Sequence, residues 1–260
     1  MATPGFASDH EEQAGMPVLP RSMRSAVRCY HLIAYVQSQL MNQFVYYLII
    51  TPPLLFAITF HEFSHAWMAN RKGDPTAKYA GRLTLNPLAH IDIIGLALLY
   101  LYGFGWAKPV PVNPYNFRNP QKDELWVSLA GPGSNMVLAL ILGIIFRFLI
   151  STYPFSSEAS THQLFLIMLV KGIQLNLVLA VFNLIPVNPL DGSHILAGIL
   201  PLRYQSQLQQ IQRYSFYVLL GVIILDYFLN LGILWTIFKP FIFFFGTLFA
   251  GPEFIRLIYV

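Results

Sequence analysis

His61, Glu62 and His65 stand in an almost unbroken apolar stretch. Two histidines four residues apart on a helix project to the same side, one turn above the other. Both imidazoles can then reach one zinc ion, with the glutamate between them placed as a base. Zinc lowers the pKa of a coordinated water toward about 7. Glu62 can take the proton from that water and later deliver it to a leaving amine. The chemistry so defined is hydrolysis. A soluble hydrolase would carry it on a water-exposed helix, but residues 44–60, directly before it, contain no charge. The expected setting is within a membrane. The competing account is two packed histidines with Glu62 paired to one of them. Three ionisable groups on an apolar helix are costly in lipid, which favours a functional reading.

Such a zinc needs a third protein ligand and an open position for water. The other histidines are His10, His31, His90, His162 and His194. Asp191, in Asn188-Pro189-Leu190-Asp191-Gly192, is the better candidate. It ends a long apolar span, between a proline that stops helix and a glycine that permits a sharp turn. A carboxylate at that depth needs a cation, and zinc on two neutral imidazoles supplies one. A helix cap or turn residue beside a basic loop is the plainer role for Asp191, and His194, three residues on, could orient a ligand or serve as one itself. His90 and Asp92 read as interfacial residues. The oxyanion that develops during hydrolysis needs a donor. Asn183, eight residues before Asp191, is the candidate, with an interhelical hydrogen bond as its other role. Asn135, in Ala130-Gly131-Pro132-Gly133-Ser134-Asn135, reads as structural support where small residues let helices approach closely. Asn176 is a weaker candidate for the same task.

The chain has 260 residues, 55% of them hydrophobic and 11% charged. Its mean hydropathy is +0.54. An ordinary soluble domain is about 25% charged, so this composition excludes one. The net charge of +4 comes from scattered Lys and Arg, without the basic-aromatic stripe of a nucleic-acid binder. Cys29 is the one cysteine, which excludes an internal disulfide and a thiolate cluster.

The fold class expected is an all-α polytopic membrane protein with a re-entrant and extended segment. Residues 1–43 read as a flexible or interfacial leader, 44–213 as the catalytic core, and 214–260 as one or two further membrane segments. Residues 44–70 are long enough to cross a bilayer. Residues 91–102 are too short to cross and are expected to dip in and return. Residues 106–114, rich in proline, read as an edge strand or extended loop. With that return, the basic loops 71–82, 106–124 and 199–213 share one face, whereas 151–162 has neither Lys nor Arg. The positive-inside rule then puts His61, His65 and Asp191 toward the cytoplasm, with the N-terminal arginines as an exception.

These motifs resemble the site-2 protease family, the intramembrane zinc metalloproteases of peptidase family M50. The chain is especially similar to the compact prokaryotic branch without PDZ or CBS domains. The likeness rests on His61-Glu62-Phe63-Ser64-His65, Gly73-Asp74-Pro75-Thr76-Ala77 and Gly81-Arg82-Leu83-Thr84-Leu85-Asn86-Pro87. It continues through Gly105-Trp106-Ala107-Lys108-Pro109-Val110-Pro111, Ala130-Gly131-Pro132 with Asn135, and Phe182-Asn183-Leu184-Ile185-Pro186. It ends on Pro189-Leu190-Asp191-Gly192. The resemblance implies one zinc per chain on His61, His65 and Asp191. It makes Glu62 the general base and acid, and Asn183 the group that holds substrate or oxyanion. Asn135 matches the family's middle-span asparagine.

Membrane-anchored proteins are the implied substrates, the lipid bilayer the implied surroundings, and the prokaryotic inner membrane the implied location. Substrate would have to unwind locally, and residues 106–114 could pair with it by strand addition. A membrane metal-binding or transport protein, or an inactive protease-like scaffold, are the alternative functions. Substrate identity and oligomeric state are not written in the sequence.

Overall fold

The computed structural model describes residues 21–102, 105–153, 155 and 161–259, with side chains from residue 45 onward. Residues 1–20 of the expected leader lie outside these. The chain forms two units, 1–46 and 47–260. The described part of the first is helical. It belongs to α1 (Arg21–Lys72), which runs through Pro52 and Pro53. The sequence reading opens this helix near residue 44. No Gly or Pro lies between 21 and 51 to stop it sooner.

After α1 come a short α2 (Thr76–Tyr79), α3 (Ile93–Tyr102), α4 (Pro120–Thr152) and α5 (Thr161–Leu184). Then follow α6 (Asp191–Ile199), α7 (Gln205–Leu229), α8 (Ile233–Ala250) and α9 (Glu253–Leu257). Among the described residues, five helical stretches are long and apolar enough to cross a membrane: Val45–Lys72, Pro120–Thr152, Thr161–Leu184, Leu202–Leu229 and Ile233–Ala250. The C-terminal segment, open between one span and two in the sequence, is thus two helices. Asn230 and Gly232 break them with left-handed backbone. Asp226 starts the second by accepting from the Ile233 amide at 2.6 Å.

The larger buried apolar cluster joins α4, α5, α8 and α9. Phe146, Leu166, Ile173, Leu177, Ile242 and Phe254 are buried there. Phe238 of α8 meets Phe182 near the end of α5. Further along, the α8 backbone at Phe249 lies against Gly143 of α4. In lipid such contacts hold helices by close packing rather than by expulsion of water.

The ten residues of α3 rise about 15 Å, half the thickness of a bilayer core. The segment comes back beside its own start. Ile91 and Ala107 form an antiparallel bridge, and the Lys108 amide donates to the His90 carbonyl at 3.0 Å. Gly95 and Gly105 make this possible: a Cβ at Gly95 would strike the Trp106 carbonyl, and one at Gly105 the Gly95 carbonyl. Residues 71–82 and 106–124 therefore lie on the same side of α3. The 106–114 segment is extended, with one isolated bridge and no strand among the described residues.

Its far end is fastened by Asp74, which is fully buried. Asp74 accepts from the Thr76 hydroxyl at 2.5 Å, the Thr76 amide at 3.1 Å, the Asn113 amide at 2.7 Å and Asn116 Nδ2 at 2.7 Å. Burial opposes its charge, but these four donors prevail and hold the carboxyl below the ordinary value of 3.8. A lowered folded-state pKa adds stability above the unfolded value and loses it as the pH falls through the folded one. Thermal unfolding in detergent is thus expected at lower temperature below about pH 4. In Asp74→Asn the midpoint should be lower at neutral pH and its acid dependence shallower. An acid dependence identical to the parent's would refute this.

Candidate metal centre

His61 and His65, four apart on α1, present their Nε2 atoms 3.0 Å from one another. Asp191 begins α6 and places Oδ2 at 3.2 Å from His61 Nε2 and 3.3 Å from His65 Nε2. These three side chains form the one metal-capable cluster among the described residues. All three are shielded, the histidines almost fully.

The surroundings fix which way each imidazole faces. His65 Nδ1 donates to the Val127 carbonyl at 2.7 Å. His61 Nδ1 donates to Asn135 Oδ1 at 2.6 Å. The Asn135 amide cannot turn over, because its Nδ2 donates to the Ala57 carbonyl at 3.1 Å and to Asn176 Oδ1 at 2.8 Å. Asn176 is oriented in turn by donating to the Gly172 carbonyl at 2.8 Å. With both Nδ1 atoms protonated, both Nε2 lone pairs point inward. Asp191 Oδ2 points there as well and receives no hydrogen bond.

Three converging lone pairs in a buried pocket are unfavourable without a cation. Zinc bonds of about 2.0–2.1 Å in a tetrahedron set neighbouring ligand atoms about 3.3–3.4 Å apart. The measured triangle is close to that, and two neutral imidazoles with a carboxylate suit zinc. The residues present fit the ion.

One face of α4 makes this arrangement possible. Val127, Gly131 and Asn135 recur every four residues and so share that face. The first offers a carbonyl, the last an amide. A Cβ at Gly131 would lie against His65 Nε2 and within 2.7 Å of His61 Cε1. Asp191 is brought in by α6. A Cβ at Gly192 would strike the carbonyls of Leu184 and Ile185, so α6 tucks under the end of α5. Gly192 thus serves close approach rather than a left-handed turn.

Glu62 is not one of the three clustered donors, and its Oε2 accepts from the Val110 amide at 3.1 Å. A cavity of about 440 Å³ opens on His61 and Glu62. Leu54 and Ile58 of α1, Leu96 and Leu99 of α3, and Leu179 and Phe182 of α5 make its walls apolar. Asn183 lines the same cavity and donates Nδ2 to the Leu179 carbonyl of its own helix at 3.0 Å.

Other residues fall elsewhere. His194 is turned to Glu124 at 2.8 Å and is not part of the cluster. Asp92 caps α3 by accepting from the Gly95 amide at 2.8 Å. His90 is fully buried within the protein, its Nε2 donating to the Thr84 carbonyl at 2.8 Å. Beside it lies Arg82, a buried cation the sequence reading passes over. Burial disfavours its charge, and the Glu62 carboxylate supports it.

A hydrolytic zinc centre of the metallopeptidase kind, carried on membrane helices, is the class this architecture defines. The profile of peptidase family M50 matches residues 149–225. The Bacillus subtilis protein named zinc metalloprotease YwhC is 42% identical over 191 residues, 69% of this chain and 84% of its own length. Rip2 of Mycolicibacterium smegmatis, also named a zinc metalloprotease, is 32% identical over 180 residues, 65% of this chain and 64% of its own. Zinc metalloprotease MJ0392 of Methanocaldococcus jannaschii is 24% identical over 176 residues, 66% of this chain and 40% of its own. No solved structure matches. The chain belongs to peptidase family M50, the site-2 protease family: it is a zinc-dependent metalloendopeptidase and a multi-pass membrane protein.

Proposed function

We propose that the chain cuts membrane-anchored proteins in or beside their transmembrane segments. His61, His65 and Asp191 hold the zinc and Glu62 moves the proton. The observation that carries this reading is the cavity. Apolar walls from three helices lead to His61 and Glu62, a lining suited to an unwound apolar peptide and poorly suited to a hydrated one.

When bound, zinc supplies a Lewis acid and lowers the pKa of water to the neutral range. The protein's own groups do the rest. Asn135 and the Val127 carbonyl keep the imidazole lone pairs aimed inward. Glu62 has Oε2 occupied by the Val110 amide, so Oε1 is the oxygen that takes the proton and returns it to the leaving nitrogen. Asn183, on the cavity wall, would donate its second Nδ2 hydrogen to the substrate carbonyl as that oxygen gains charge. Trp106 and Ala107 of the extended segment line the same cavity and would offer backbone to an unwound substrate. The return of α3 to its starting side supports a common face for the basic loops, and hence a cytoplasmic site in the inner membrane.

The test uses purified full-length chain in vesicles with a membrane-anchored reporter. Fragments ending within or beside the reporter's membrane segment are expected. Chelation should abolish them, and added zinc should restore them. Cutting confined to soluble polypeptides would overturn the intramembrane reading. Metal flux across the vesicles without cleavage would favour a transporter.

A further inference from the structure

The peptide unit joining Pro109 to Val110 links two charges that do not touch. Its carbonyl accepts from Arg82 Nη1 at 3.1 Å, and its amide donates to Glu62 Oε2 at 3.1 Å. In a trans peptide the C=O and N–H point in opposite directions. The guanidinium therefore sits at the negative end of the peptide dipole and the carboxylate at its positive end, so both charges favour the same orientation. Arg82 Nη2 also donates to the Lys108 carbonyl at 2.5 Å and lies 3.4 Å from His90 Nδ1. His90 can accept there because its Nε2 is committed to the Thr84 carbonyl.

Arg82 is only 6% exposed and makes no ion pair among the described residues. A buried cation needs its charge satisfied. Here two carbonyls of one extended segment do so, and the next amide in that segment grips the glutamate.

We infer that Arg82 is a positioning residue for Glu62, acting through the 109–110 peptide to fix the carboxylate beside the metal centre. This rests on the reading of Glu62 as the base. Arg82 orients the segment, the Val110 amide occupies Oε2, and Oε1 is left in one place for the proton. Lysine cannot substitute fully, because one ammonium lacks the planar fork that reaches two carbonyls.

The experiment compares the parent with Arg82→Met, Arg82→Lys and Glu62→Gln, full length in vesicles, on the same membrane-anchored reporter. A base displaced by an ångström costs on the order of 100-fold, so Arg82→Met should lower kcat about 10–100-fold with KM unchanged. Arg82→Lys should retain an intermediate kcat. The absorption spectrum of the cobalt(II)-substituted protein, which reports on the ligands alone, should match the parent's in both. If Arg82→Met does not fold, Arg82→Lys decides: a kcat lowered about threefold to tenfold at constant KM supports the inference. An unchanged kcat, a loss confined to KM, or an altered cobalt spectrum would overturn it. Glu62→Gln separates the two readings. If that variant is inactive while the Arg82 variants keep the parental kcat, only the positioning role fails. If it cuts like the parent, the reading of Glu62 fails first.

Discussion

The Glu62→Gln variant is expected to lose cleavage by about 10²–10⁴-fold while keeping its zinc, the range that a positioned acid–base group contributes. The change is nearly isosteric. The glutamine carbonyl can still accept from the Val110 amide, so the 3.1 Å contact survives. The imidazoles are untouched, because their orientation depends on Val127 and Asn135 rather than on Glu62. What disappears is the group that takes and returns a proton. Metal content after gel filtration and the rate on a membrane-anchored reporter check both halves. A variant that keeps parental activity would refute the mechanism.

The second large effect is expected at Gly131. In a helix interior, alanine is favoured over glycine by about 1 kcal/mol. Helix propensity alone thus predicts that Gly131→Ala stabilises α4. The added Cβ, however, would overlap the His65 imidazole and crowd that of His61. Neither ring can yield without breaking its hydrogen bond to Val127 or Asn135. Overpacking of this kind costs about 1–3 kcal/mol, which outweighs the propensity gain. Zinc affinity is expected to fall about 10–100-fold, as when outer-shell support of a metal ligand is lost. Competition with a chromogenic chelator measures this, and circular dichroism checks that helix content holds. Parental zinc binding in Gly131→Ala would show that α4 is free to move away.

The grouping of His61, His65 and Asp191 was legible in the sequence because side-chain type and spacing carry it. His61, His65 and Glu62 announce themselves by a four-residue interval within an apolar helix, and Asp191 by its depth. The short return of α3 followed from length and from loop charge together. The supporting groups were harder to read. Val127 acts through a backbone carbonyl and Gly131 through a missing Cβ, so neither leaves a chemical signature of its own. Arg82 and Asp74 bind backbone groups 26 to 39 residues further along, and no local pattern signals that distance. His90 carries no sign in the sequence that it is fully buried beside Arg82. Asp226 and Asn230 signal a break, but only the two left-handed residues show that the break is a sharp turn between separate helices.

Helix α4 serves two neighbours at once: Gly143 rests on the backbone of α8, and Gly131 rests on the imidazoles. Twelve residues separate these points, about 18 Å along the axis. Pivoting the rod by about 3° at the first would swing the second by about 1 Å, a displacement that matters in catalysis. Leverage of this kind would make side chains around Gly143 and Phe249, outside the cavity lining, answerable for the rate at the metal.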